Sequence, residues 1–408
     1  MQGAVKRLHL EKHPKEVVFT ILCGLPLLHV PGSPVVSLQI QSLFLAALGI
    51  FLVAYPPFLK DCWRSLLGLP IAARVGLGLF GSFAAASTAF SQQLPFLDGL
   101  FGTYPGYFGL LQWLACFMLA LFLGPQLAQL IKSRAVACCL ALVMIVSIIG
   151  DHVILSGGFR LSGMLLQATS MGIYGSLSLA VALVGIDTAK GNIRARYMAL
   201  AGLAITTVFL TQSRAALLAL ALIGAMSLLQ NYDKYKTMFL GIMTLFMIMA
   251  SILAPSYVSR YQHERVGVGT AYRQEIYKVG LKEIRHKHLV IGSGADSHPS
   301  YLNDGKQVPE DIALDLRVGY RFSSAHDIFI DIGTMFGALP MLLAVAAVVW
   351  TGAIFAIHAI RQKPDYFLLT VFVPLLINSL LNVPMAALTC LFIVLTVAGF
   401  GLKHETRR

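Results

Sequence analysis

Apolar residues run along most of this chain in long blocks with no polar face, and polar residues are confined to the connections between them. A block needs roughly 20 helical residues to cross a hydrocarbon core of about 30 Å. Blocks near or above that length occupy residues 17–32, 35–57, 66–90, 107–131, 135–155, 161–187, 197–213, 214–230, 237–256, 327–357, 366–381 and 384–402. The pattern predicts an all-α, polytopic integral membrane protein with about twelve transmembrane helices. The first block is short. The basic stretch from Lys6 to Lys15 precedes it and no small-x-small cleavage site follows, so it reads as an uncleaved span.

One connection breaks the rhythm. Residues 257–326, between the ninth and tenth blocks, are polar, with ten basic and eight acidic side chains. A structureless loop of that length is unusual and more often functional. Within it, Arg273 to His288 reads as an amphipathic helix with Ile276, Gly280, Ile284 and, one position offset, Leu281 on one face. Gly292 and Gly294 then break the chain. The predicted organisation is helices 1 to 9 over residues 1–256, a polar segment with amphipathic helices over 257–326, and helices 10 to 12 with a tail over 327–408.

Composition sharpens the class. The 408 residues are 57% hydrophobic and 12% charged, against roughly 25% charged in a soluble domain. A soluble enzyme is excluded on that ground, since too little charge is available to cover a water-facing surface. The 31 Lys and Arg against 19 Asp and Glu give a net charge of +12, which in a soluble chain would suggest nucleic acid. Its distribution says otherwise. Alternate connections hold 18 basic residues, including Lys15, Lys60, Lys132, Lys190, Lys234, Arg361 and Lys403, whereas the opposite short connections hold only Arg160 and Arg214. Basic residues favour the cytoplasmic side, so both termini are expected in the cytoplasm and segment 257–326 on the outer, periplasmic side. No nucleic-acid partner is expected. Six cysteines form no CxxC pair and no His-Cys spacing suited to zinc.

Few residues remain to carry chemistry. Arg214 lies in Thr211-Gln212-Ser213-Arg214, between two apolar runs joined too closely for a loop. It reads either as a hairpin arginine snorkelling to the interface or, with Ser213 and Gln212, as a guanidinium holding an anionic headgroup. Arg265 and Arg273 open the outer segment. They fit an anion near a helix start or solvated pairs with Glu264 and Glu275. His326 sits where the outer segment enters the tenth block, with Asp327 and Asp331 close behind. Its imidazole could accept a proton from an attacking hydroxyl, either carboxylate could compete as base, and a bland interfacial histidine fits the same position. His263, His286, His288 and His298 lack metal-ligand spacing, so no metal and no cofactor is expected.

These motifs resemble those of the O-antigen ligase and polymerase superfamily. The resemblance rests on Thr-x-Ser-Arg at 211–214, Arg273 followed by His288-Leu-Val-Ile-Gly-Ser-Gly294, and His326 followed by Phe329, Gly333 and Gly337. A large outer loop before a late helix adds to it. It implies transfer of a glycan from undecaprenyl diphosphate at the periplasmic face of the bacterial inner membrane. The acceptor is a sugar hydroxyl of the lipid A core in the ligase branch and another carrier-linked unit in the polymerase branch. Under this reading Arg214, Arg265 and Arg273 neutralise the diphosphate, with Arg160 a lesser contact. His326 is the base, Asp327 and Ser213 give support, and the sugar carbon is inverted. Asp327 departs from the Asn or Ser common after the histidine. A transporter of similar size is the rival from a different class, but no half-to-half symmetry is evident and the polar residues concentrate in one outer segment.

The charge asymmetry makes a direct prediction. In a cysteine-free background, Ser300→Cys is expected to react with a membrane-impermeant reagent from the periplasm, and Asn192→Cys only after permeabilisation. The reverse pattern would invert the topology.

Overall fold

A computed structural model describes residues 14–28, 34–91, 96–101, 109–150, 161, 168–227, 277–278, 280–286, 288–295, 327–361, 367–381 and 386–405. Among these residues every regular element is helical. In chain order they are α1 (Pro14–Gly24), α2 (Pro34–Val53), α3 (Pro56–Gly68), α4 (Ile71–Ala89), α5 (Phe96–Phe101), α6 (Leu110–Leu123), α7 (Leu127–Leu130) and α8 (Arg134–Ile149). There follow α9 (Ala168–Thr188), α10 (Gly191–Thr211), α11 (Arg214–Ser227), α12 (280–286), α13 (Ile328–Phe336), α14 (Ala338–Ile360), α15 (Leu368–Leu381) and α16 (Ala386–Glu405).

The all-helical membrane class holds, whereas the count of twelve is not confirmed. Among the described residues, five helices are long and apolar enough to cross a membrane, or six if Leu43–Val53 and Pro56–Gly68, bent by 94°, make one broken span. Each departure has a local cause. The first block yields only the 11 residues of α1 before a 3-10 turn at Leu25–Leu27, about 16 Å at 1.5 Å per residue. The Lys60 and Arg64 connection is itself the helix α3. It buries Phe58 and Cys62 and exposes Leu59, Trp63 and Leu67, as an amphipathic helix lying along an interface does. The tenth block is broken at Gly337, and the ninth, 237–256, lies outside the described residues.

At the centre stands α9, with 94% of its apolar window buried. Helices gain no hydrophobic drive from packing within lipid, so close contact needs small side chains. Gly172 illustrates this: a Cβ there would sit 2.5 Å from Ala216 Cβ and 2.6 Å from Thr211 Oγ1. Ser176 Oγ, one turn on, donates to Gly172 O at 3.0 Å and to Ala216 O at 3.3 Å. The N-terminal half of α9 therefore fixes the turn between α10 and α11.

The bundle has two chemically distinct ends. At one, Lys15 pairs with Asp61 at 3.4 Å, Ser133 donates to Glu16, Lys132 lies over the Phe367 ring, and Tyr197 Oη donates to Lys132 O at 3.4 Å. Because Tyr197 lies in the N-terminal half of α10 there, Thr211 at the far end of that helix marks the opposite side. Leu161 N donates to Leu210 O at 2.9 Å on that side.

The break at Gly337 is built, with every backbone group accounted for. Four carbonyls at the C-terminus of a helix lack intrahelical donors, and in an apolar setting each must find one. Gly337 N donates to Gly333 O at 3.0 Å, Ser293 N to Thr334 O at 2.9 Å, Gly294 N to Met335 O at 2.9 Å, and Ser87 Oγ to Phe336 O at 3.2 Å. The start of α14 is met in turn, with Ala338 N donating to His288 O at 3.1 Å. Ser87 and Thr88 of α4 accept from Gly292 N and Ala295 N. Residues 288–295 of the outer segment thus latch α4, α13 and α14 together. Gly337 has φ +106, a conformation that disfavours a side chain. A Cβ at Gly292 would lie 2.2 Å from the Met335 carbonyl carbon.

Gly292→Ala is therefore expected to lower the thermal midpoint of the purified protein, by the roughly 1–3 kcal/mol usual for overpacking. Gly401→Ala, with nothing within 4 Å of its added Cβ, is the control expected to match or exceed the parent. Equal melting of the two variants would show that the latch carries no stability.

Candidate functional site

The 211–214 turn is built by two caps in succession. Helix α10 ends with Gln212 in the left-handed region, φ 49, its N–H donating to Phe209 O. Ser213 Oγ then accepts from Ala216 N at 3.3 Å and so caps α11. Thr211, Gln212 and Ser213 are buried, whereas Arg214 is exposed on the first turn of α11. Ser213 has a structural task of its own. Arg214 gains from position as well as charge, because it stands on the first turn of α11, at the positive end of the helix dipole. The sequence suggested a helix start at Arg273; the structure shows one at Arg214.

A second helix start, that of α13, lies at Asp327. Its Oδ1 accepts from Phe329 N at 2.8 Å and from Ile330 N at 3.1 Å, the geometry of a carboxylate N-cap. Asp331, one turn on, is 98% buried, with its relative exposure at 2%. As competing bases the two carboxylates are thus unequal to what the sequence allowed: one holds the helix end and the other is enclosed in the bundle. The end of α13 nearest His326 is clamped by Asp327 and its far end by the 288–295 latch.

The outer segment packs directly on this helix. Ile284 of α12 lies against Ile330, and its Cδ1 sits 2.5 Å from where a Gly333 Cβ would be. Gly280 and Ile284 face inward as expected, but Leu281 is exposed. Tyr277 Oη donates to Leu380 O at 2.9 Å, tying the segment to α15. Glu283 went unweighted in the sequence, and His288 was read there only for metal spacing and as part of a motif; both are buried, with His288 Nε2 3.5 Å from Glu283 Oε1. A signal was present in the placement of Glu283 beside the apolar face that carries Ile284. Among the described residues no three His, Cys, Asp or Glu side chains converge as a metal site would require.

A cavity of about 670 Å³ begins beside this helix start. Ile328 and Phe329 line one end, Trp113 and Phe117 its wall, and Arg74 is among its few polar contributors.

The Arg214 turn lies at the end of the bundle opposite the Lys15 and Lys132 cluster, and α13 runs from the Asp327 cap to the 288–295 latch. Arg160, Arg265, Arg273 and His326 lie outside the described residues; His326 immediately precedes Asp327 in the chain. Residues 198–345 match the family model described as O-Antigen ligase. The match supports the O-antigen ligase superfamily, and it spans both the Arg214 turn and the His326–Gly337 motif. No curated protein matches the chain.

Asp327 allows its two roles to be separated. Asp327→Asn keeps a capping oxygen and is expected to leave both thermal stability and activity near the parent. Asp327→Ala is expected to cost about 1 kcal/mol, the usual loss of an N-cap, read as a lower melting midpoint. An inactive but stable Asp327→Asn protein would instead give the carboxylate a chemical role.

Proposed function

We propose that this protein is an O-antigen ligase. It transfers a glycan from undecaprenyl diphosphate to a sugar hydroxyl of the lipid A core in lipopolysaccharide assembly, at the periplasmic face of the bacterial inner membrane. One observation carries the reading: the O-antigen ligase match over residues 198–345 takes in both motifs that the chemistry needs. The place of Arg214 and of Asp327 at capped helix starts supports it.

In this mechanism the acceptor hydroxyl attacks the anomeric carbon from the face opposite the diphosphate. A new C–O bond forms, the C–O bond to the diphosphate breaks, and undecaprenyl diphosphate leaves with the bonding pair. The hydroxyl proton passes to His326, and the configuration at carbon inverts. Negative charge grows on the diphosphate, and Arg214, Arg265 and Arg273, with Arg160 in a lesser part, supply the compensating positive charge. Guanidinium suits that task because its planar fork donates two parallel hydrogen bonds to a phosphate. Asp327 caps α13 and so holds the chain where His326 joins it, and Ser213 does the same for Arg214 by capping α11.

Purified full-length protein, given carrier-linked glycan and lipid A core, is expected to form a covalent glycan–core product with or without a chelator. A lengthened carrier-linked glycan would make it the polymerase of the same superfamily, and transport without covalent product would make it neither. His326→Ala is expected to lower turnover by about 10²- to 10⁴-fold, the usual contribution of a general base. Arg214→Ala is expected to lose most activity, with Arg214→Lys recovering little. Near-normal turnover of His326→Ala would remove the histidine from the mechanism.

A further inference from the structure

Arg74 is the basic residue that the topology does not explain. It falls inside the third apolar block and in none of the connections that set the orientation. In the structure it lies in the first turn of α4, just past Pro70, to whose carbonyl its backbone N–H donates at 3.0 Å. Its side chain lines the large apolar cavity, and its Nε is buried without a hydrogen-bond partner among the described residues. Thr396, another polar residue of the lining, donates to Phe392 O of its own helix at 2.8 Å.

An ionisable group inside a membrane protein is costly and ordinarily has a task. Arg74 is half-buried as a residue, so its charge stays within reach of the surface, while its Nε is enclosed among the apolar lining. The cavity is also open sideways to where lipid lies. Leu67, Ile71 and Trp350 line it and are at the same time strongly exposed, Ile71 at 71%. Its lining takes in Ile328 and Phe329 of α13 as well as Leu67, Arg74 and Phe400, so it reaches to the junction of α3 and α4. Arg74 therefore stands at the end reached from α3, the helix that carries Lys60 and Arg64 and pairs Asp61 with Lys15. A lipid held at the far end by its headgroup would place only hydrocarbon beside Arg74, so such a lipid leaves the guanidinium unexplained.

We propose that this cavity is a binding site for an anionic glycerophospholipid, whose phosphate is held by Arg74 and whose acyl chains fill the apolar space toward Phe329. Charge complementarity selects the occupant. Arginine pairs a phosphate diester through two parallel hydrogen bonds, and the basic end of a membrane protein ordinarily meets the leaflet richer in anionic lipid. The exposed, amphipathic α3 lies along that interface and frames the mouth. The site is independent of glycan transfer and stands or falls separately from that reading.

Native mass spectrometry of the delipidated full-length protein tests it. Phosphatidylglycerol is expected to bind at least tenfold more tightly than phosphatidylcholine with the same chains. Arg74→Gln is expected to abolish that preference, Arg74→Lys to retain part of it, and Ala347→Trp, which fills the cavity and leaves the charge in place, to weaken phosphatidylglycerol binding. If Arg74→Gln fails to give monodisperse protein, the comparison of the two lipids on the unaltered protein decides. Equal binding of the two lipids, an unchanged preference in Arg74→Gln, or displacement of phosphatidylglycerol by a polyprenyl phosphate would overturn the proposal.

Discussion

A backbone carbonyl or amide in an apolar setting has no water to fall back on, and the end of this molecule that holds the Gly337 break is organised around that constraint. Breaking a membrane helix at Gly337 creates orphan carbonyls at 333–336 and an orphan amide at Ala338. Each of them finds a donor or acceptor in Gly337, Ser87 or the stretch from His288 to Gly294. The stretch 288–295 is thus a structural part of the bundle, because without it the break would expose unsatisfied groups. The glycines at 292 and 294 belong to this scheme: their amides, or the room left by their missing side chains, let the loop backbone reach the helix end. The His288–Gly294 motif has a capping role that stands whatever its place in catalysis.

The same economy shapes the other helix starts. Ser213 and Asp327 each satisfy amides at the head of a helix, and each stands beside a residue suited to chemistry, Arg214 in one case and His326 in the other. Placing functional groups next to caps ties their backbone position to hydrogen bonds that the fold must make anyway. At Arg214 the arrangement also superimposes the positive dipole end of α11 on a permanent cation, which favours an anion more than either alone. Small residues complete the positioning, since the α10–α11 turn reaches its place only because Gly172 leaves room for Thr211 and Ala216.

Charge is sorted along the axis. Pairs such as Lys15 with Asp61, and cations over Phe122 and Phe367, gather at one end, and the arginine of the turn lies at the other. Near the first of these ends the apolar cavity takes in Arg74, whose Nε is buried among apolar side chains. Interfacial α3 and the bent α2–α3 pair shape the approach to that end.

Read alone, the sequence determined the class of the protein, because apolar blocks of membrane-crossing length can be satisfied in few ways besides helices. It also marked the 211–214 turn, the glycine break after α12 and the head of the tenth block, since polar residues interrupting apolar runs are conspicuous. Span geometry was beyond it. Hydrophobicity does not register a 94° bend between α2 and α3 or a left-handed residue at Gly337, because both depend on which neighbours supply hydrogen bonds. For the same reason Asp327 and Asp331 looked alike as carboxylates four apart on one face. Only the packed structure made one a cap and buried the other. Leu281 looked like part of an apolar face until packing chose Ile284 and Gly280 in its place. Arg74 was hidden in the middle of an apolar block, and what it faces was decided by the convergence of α3, α4, α14 and α16, helices far apart in the chain.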